Sequence, residues 1–386
     1  MASASCDVIV LGAGGVGAAA MLALARRGLR VVGIDRFAPP HDRGSSHGQT
    51  RIIRQAYFEH ADYVPLLLEA YRMWAELESA AGRQLLLKTG LLEVGPPDGL
   101  VVPGVHRAAA AHNLAVESLS AAEIEDRWPS FRVPQDMVGV FEPAAGALRV
   151  EECICAHLRA AQSAGAALRV GVAAWSWRVA GSGVEGGTSA GPFTAGRRLA
   201  AARAWARSLL DDLELPLQVR RKTAMWHRTN ESGTRTEAGF PCYLFERPEG
   251  VFYGFPDIDG WGLKAAEHSG GTTVDDPATV DRRLHDEDRL PVERFLKRHL
   301  PAAQTPCQRF GVCLYTMSPD ENFIVDRHPK HPQVAFAAGL SGHGFKFAPV
   351  LGEALADLAV DGASRLPIEF LSLRRLADRS RSGLLP

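Results

Sequence analysis

Gly12-Ala13-Gly14-Gly15-Val16-Gly17 fits the pattern G-x-G-x-x-G. The run before it, Val8-Ile9-Val10-Leu11, favours a strand, and the run from Val16 to Arg27 is rich in Ala and Leu and favours a helix. A second apolar run, Val31-Val32-Gly33-Ile34, then ends on Asp35. That order is what a dinucleotide site requires. Gly12 permits the tight turn, Gly14 lets the backbone approach a pyrophosphate, and Gly17 lets helix and strand pack closely. The pyrophosphate then rests on the helix amino terminus, where unpaired N–H groups and the dipole favour an anion. Asp35 is expected to bond the adenosine ribose hydroxyls. The motif does not distinguish FAD from NAD.

Other residues with chemical potential are scattered. Arg51 and Arg54 stand three apart and share a face if they lie on a helical turn, and the intervening Ile52 and Ile53 suggest that this turn packs against the protein. Lys264 follows an apolar and glycine segment, Gly262-Leu263, rather than a charge run, as expected of a lysine pointing into a cleft. Cys313 lies in the β-rich run Phe310 to Tyr315 with no second Cys or His at ligand spacing, which by itself suits a small buried hydrophobe. Val334 to Ala338 reads as a strand, Gly339 to Gly344 as a turn, and the segment through Leu351, Ala354 and Leu358 as a helix. Lys346 in the first turn of that helix is electrostatically misplaced and points to an anionic ligand nearby.

These segments must be positioned by a chain of 386 residues, long enough for two domains. Its 43 Lys plus Arg against 44 Asp plus Glu leave a formal charge of −1, which gives no electrostatic reason to expect nucleic acid or an anionic membrane. Six cysteines are too sparse for a secreted disulfide scaffold, and Cys153-x-Cys155 has no second pair at metal spacing, so no metal is expected. Val8 to Ala25 is uncharged and raises the question of a membrane span or signal peptide. Asp7 at its start, the absence of a preceding Lys or Arg and its four glycines favour strand, turn and helix instead. The expectation is a soluble, cytoplasmic protein without a targeting segment.

Four separated stretches carry a resemblance. Pro39 to Tyr57 matches P-P-H-x-x-G-S-x-H-G-x-T-R-I-I-R-x-A-Y, and Tyr253-Gly254-Phe255-Pro256 is followed by Gly262-Leu263-Lys264. Gly311-Val312-Cys313-Leu314-Tyr315-Thr316 and Gly339 to Phe347 complete the set. In these residues the sequence resembles the monomeric sarcosine oxidase family of flavoproteins. The resemblance implies FAD joined by a thioether from Cys313 to the flavin 8α-carbon. It also implies oxidation of a secondary amino acid by O₂, giving an imine that water hydrolyses, and H₂O₂. Lys264 would lie over the flavin and stabilise negative charge forming on O₂, with His268 beside it if the segment is helical. Arg51 and His47 would lie near the ring, and Thr50, Tyr315, Gly342, His343, Gly344 and Lys346 would hold the cofactor. Tyr253 would face the substrate, whose carboxylate Arg54 and Lys346 would grip. Sarcosine, N-methyltryptophan and pipecolate all present that carboxylate and amine, and a small N-methyl amino acid is preferred.

The cofactor-contacting regions are far apart in sequence. This implies a discontinuous, Rossmann-like α/β FAD-binding domain over 1–84, 145–212 and 314–386, with a second α+β substrate domain over 85–144 and 213–313, in a monomer. The middle departs from the family pattern. At Leu199 to Trp205 the alanines are poor strand formers and Arg203 replaces an expected glycine, while Gly181 to Gly187 is more flexible than a strand should be. Two alternatives therefore stand beside the oxidase. One is a nicotinamide dehydrogenase sharing only the first βαβ unit, which Cys313 and the Gly342 to Lys346 loop argue against. The other is a flavin binder with impaired catalysis, motivated by Arg203.

Overall fold

The computed structural model describes residues 4–201 and 210–376. Ala4–Leu11 forms the central strand of a sheet, flanked in parallel by Val31–Asp35 on one side and Gly191–Ala200 on the other. Ala167–Val170 extends the parallel set beyond Val31–Asp35, and Val334–Ala338 extends it beyond Gly191–Ala200. Alternation along the first strand sorts its side chains. Val8 and Val10 face a core shared with the helices Gly15–Arg26, Tyr63–Ala81, Val150–Ser163 and Ala348–Val360. Ile9 and Leu11 face Val184, Phe193 and Val334 on the other side. A strand buried on both faces reads as a continuous apolar run, which is why Val8 to Leu11 lacks polar residues.

A second sheet contains Gln218–His227, Leu263–Glu267, Gly250–Phe255, Cys242–Arg247, Leu91–Gly95 and Val138–Glu142, in that order, with Glu117–Ser120 at one end. Arg309–Met317 pairs with the free side of Gln218–His227 and sets Cys313 opposite Lys222. A third sheet is small. Thr50–Ile53 and Leu86–Leu87 flank Gly146–Arg149 and bridge the two larger sheets. No helix among the described residues is long and apolar enough to cross a membrane. The mixed α/β architecture with a Rossmann-like parallel core agrees with the expectation.

Several local expectations are corrected. Arg51 lies in the strand Thr50–Ile53 and Arg54 immediately follows it, so neither is on a helical turn. Lys264 lies in the strand Leu263–Glu267, not in a helix; an alternating backbone still sends positions 264 and 268 to one side. Lys346 sits in a short 3-10 turn, Phe345–Phe347, before the helix Ala348–Val360 begins. Leu199 and Ala200 end a ten-residue strand despite weak alanine propensity, because Leu11 and Phe336 neighbours pair with it from both sides. Gly183–Thr188 is a strand too. A Cβ on Gly186 would lie 2.3 Å from the Phe193 ring, so its glycine serves close packing rather than flexibility. Arg203 and Trp205 lie outside the described residues. A domain boundary between 313 and 314 would cut the strand Arg309–Met317, all of which belongs to the second sheet.

Candidate active site

The glycine loop has the geometry a pyrophosphate needs. Gly12 adopts φ +90°, and a Cβ on Gly17 would lie 1.7 Å from the Gly12 carbonyl oxygen, so no larger residue fits without separating helix from strand. The helix Gly15–Arg26 is preceded by Gly14, has no side-chain cap and carries no acidic residue in its first turn. Its first N–H groups are therefore left for an anion. Asp35 does something the sequence did not suggest. One carboxylate oxygen accepts the Ala13 N–H at 2.8 Å and the other the Phe37 N–H at 2.9 Å, so it braces the loop it was expected only to follow. His41 Nε2 lies 3.3 Å from the oxygen that accepts from Phe37, and the other oxygen retains a lone pair for a ribose hydroxyl.

Where the sheets meet, a cavity is lined by Arg51, Arg54, Tyr253, His268, Tyr315 and Lys346, with Glu59, Phe58, Leu244, Gly342, His343 and Phe345 completing the wall. A neighbouring space shares Arg51, Tyr253 and Tyr315 and adds His47, Lys222, Trp226 and Cys313. Gly344 lines a third small space with Gly342 and Tyr315. The residues expected from Arg51 to Lys346 are thus brought together from the small sheet, the second sheet and the loop after Val334–Ala338.

Cations dominate this place. Lys264 is 1% exposed, and its ammonium donates to the Gly48 carbonyl at 2.6 Å, the Thr50 carbonyl at 2.9 Å and the Thr50 hydroxyl at 3.1 Å. The Phe255 and Trp226 rings lie 4.7 and 5.1 Å from it. Burial, helped by the Arg51 charge, holds its pKa well below the usual lysine value. Arg51 donates to the Thr50 and Ser45 carbonyls and places Nη2 3.4 Å from the Cys313 sulfur. Lys346 donates to the His343 carbonyl at 3.0 Å, and burial lowers its pKa to about 7.

The histidines are kept neutral. Burial takes His47 and His268 down to about 3 and His343 to about 4. His343 Nδ1 meets the Tyr57 hydroxyl at 2.5 Å and its Nε2 meets the Glu321 carbonyl, while His268 Nδ1 is 3.4 Å from the Tyr315 hydroxyl. His47 Nε2 has no partner, and the His47 residue lines the space beside Cys313. A Cβ on Gly342 would strike the Tyr315 ring at 2.3 Å, which fixes the turn against the second sheet.

Arg54 departs most from expectation. Its guanidinium lies between the Tyr57 and Phe58 rings, 4.5 and 4.3 Å away, and its two ends are already engaged. Nη2 meets both Glu59 oxygens at 2.6 and 2.5 Å, and Nη1 meets Glu93 at 3.1 Å. The Arg54 Nε has no partner, and a substrate carboxylate reaches Nη2 only by replacing Glu59. Sequence reasoning missed Glu59, Glu93 and Lys222. The one local signal was a glutamate inside the apolar run Leu91-Leu92-Glu93-Val94.

Residues 7–358 match the family described as FAD dependent oxidoreductase. The chain belongs to this family. The nicotinamide alternative is set aside by that assignment. This FAD dependent oxidoreductase is 41% identical over 376 residues to monomeric sarcosine oxidase of Streptomyces avermitilis, covering 96% of this chain and 98% of the relative. It is 37% identical over 374 residues to N-methyl-L-tryptophan oxidase of Yersinia pestis (strain Pestoides F), covering 96% and 99%. Among solved structures it is similar to NikD, an unusual amino acid oxidase essential for nikkomycin biosynthesis, with TM-score 0.85, 26% identity and coverage of 96% and 98%. Glycine oxidase from Geobacillus kaustophilus, at 21% identity, TM-score 0.79 and coverage of 96% and 98%, shares the fold. The glycine turn and the uncapped helix start fit FAD, as does the basic cavity at the junction of the sheets.

Proposed function

We propose that the protein oxidises a secondary, N-methyl amino acid such as sarcosine, with O₂ as electron acceptor, and works as a cytoplasmic monomer. The observation that carries this reading is the grouping of Arg51, Arg54 and Lys346 around one cavity with His268 and His343, whose pKa values burial lowers. Such a cavity attracts a carboxylate and disfavours a second positive charge, so a bound amine loses its proton more readily. Bound FAD supplies the hydride acceptor and, through its reoxidation, the reduction of O₂ to H₂O₂.

The chain supplies the rest. Arg54 and Lys346 hold the carboxylate, one as a planar fork and the other as a point charge. Tyr253 and Tyr315 wall the cavity, and His268 orients the Tyr315 hydroxyl. Lys264 provides a fixed charge favouring electron transfer to O₂. Arg51 Nη2 donates to the Cys313 sulfur at 3.4 Å and so holds it in place, which supports thioether attachment of the cofactor through Cys313. Asp35 and Thr50 complete the cofactor site, Asp35 at the ribose and Thr50 by fixing Lys264.

The test is an anaerobic flavin-bleaching panel of sarcosine, N-methyltryptophan and pipecolate, with their decarboxylated amines as controls. Sarcosine is expected to bleach fastest. Equal bleaching by the decarboxylated amines would sink the carboxylate grip, and no bleaching by any secondary amino acid would sink the reaction itself.

A further inference from the structure

Glu93 is a buried charged group that the reading above leaves unused. It sits in the middle of the strand Leu91–Gly95 with no exposed surface. One carboxyl oxygen accepts from Arg54 Nη1, and the other has no partner. An incompletely paired carboxyl in that position costs stability, and packing alone would be served by an apolar residue. Glu59, on the opposite edge of the same guanidinium, lines the cavity, whereas Glu93 stands behind it. Arg54 is thus held by two carboxyl groups of different accessibility, one exchangeable for a ligand and one permanent.

We propose that Glu93 is a positioning and specificity-determining residue whose proton sets how much charge Arg54 offers to the substrate carboxylate. This rests on the reading of Arg54 as a carboxylate holder. With Glu93 protonated, a neutral carboxyl accepts the Nη1 hydrogen bond, and the guanidinium charge is balanced only by Glu59, whose place an incoming carboxylate takes. With Glu93 ionised and its proton released to solvent, Arg54 is neutralised from behind, and an incoming carboxylate meets little net attraction. The groups facing Glu93 are Arg54 and Glu59 around the small sheet, Tyr57 beside them, Glu142 at the end of Val138–Glu142, and Lys346 in its 3-10 turn. Burial raises its pKa to about 8; Glu142 and Glu59 add to this, while Arg54 and Lys346 oppose it. The neutral form therefore prevails at neutral pH, and carboxylate affinity falls as pH rises through that value.

Lys346 also loses charge over this range and weakens carboxylate binding in the same direction. The experiment separates the two. Acetate has neither an amine to titrate nor a hydride to lose, and its binding to the flavin-loaded enzyme is read from the flavin absorbance. Between pH 7 and pH 9 its Kd should rise about fivefold more in the wild type than in Glu93→Gln, since one unit beyond a linked pKa is worth at most about tenfold. Glu93→Val, which keeps the strand apolar, should show the same reduced pH dependence and serves if the Gln variant folds poorly. An equal rise in wild type and both variants would overturn the proposal and assign the effect to Lys346. Acetamide is the neutral control. If acetamide bound as tightly as acetate at pH 7, or if Arg54→Met left acetate affinity unchanged, the reading of Arg54 itself would fail, and this proposal with it.

Discussion

At Lys264 three acceptors meet one ammonium, all from the backbone or hydroxyl of Gly48 and Thr50. The nitrogen is fixed in place before any ligand arrives, so it needs no reorganisation when electrons reach O₂. Lys264→Met should slow stopped-flow reoxidation of the reduced enzyme by about a hundredfold while leaving reduction by substrate much less affected. Unchanged reoxidation would remove Lys264 from this role. Cys313→Ala should yield flavin that acid releases, whereas the wild type retains it on acid precipitation; acid-stable flavin in the variant would refute the linkage. Lys346 carries a stability cost. Its pKa falls from 10.5 to about 7 on folding, so between those values the unfolded chain binds more protons and stability rises with pH. The cost is fully present below pH 7. Lys346→Met should therefore raise the melting temperature at pH 6.5 by several degrees, a gain on the order of 2 kcal/mol, and weaken carboxylate binding. A less stable variant at that pH would contradict the assignment.

Strands, rather than helices, carry most of the chemistry. Arg51, Lys264, Cys313 and Tyr315 all come from strands. The two-residue period puts Cys313 and Tyr315 on one side of theirs, and both line the space next to Arg51. Helices supply the cofactor end through their starts. The contact between Gly17 and the Gly12 carbonyl ties the first helix to the first strand at the loop that receives the pyrophosphate. Gly17→Ala should force that junction apart, costing about 1–3 kcal/mol as an overpacked site and most of the bound FAD. Normal flavin content in the purified variant would show that the loop tolerates the shift.

For the molecule as a whole, the proposed cofactor site reaches from the first sheet to the junction with the second. A ligand bound to the folded state alone stabilises it by mass action. Loss of FAD should lower the melting temperature and raise amide exchange both at 12–17 and at 342–347. Protection lost at only one of these segments would show that they do not share a ligand.

The amino-acid sequence by itself determined the nucleotide loop with its flanking strand and helix, and the strand Val334–Ala338 with its turn. In these cases hydrophobic period and glycine placement lie within a few residues of each other, so the local pattern is enough. Through four motifs taken together it resembled a family in which Arg51, Lys264, Cys313 and Lys346 would share one site, and Arg51 lines both the space with Cys313 and the cavity with Lys346. The tertiary structure decided the rest. The weak strand propensity of alanine at the end of Gly191–Ala200 was overridden by pairing on both sides, and Gly186 in Gly183–Thr188 proved to be required by the Phe193 ring. Asp35 turned out to brace its own loop, and Arg54 to be held by Glu59 and Glu93. Glu93 is 39 positions from Arg54 in the chain. A charge's partner at that separation is chosen by how sheets and loops pack, and no local periodicity encodes it.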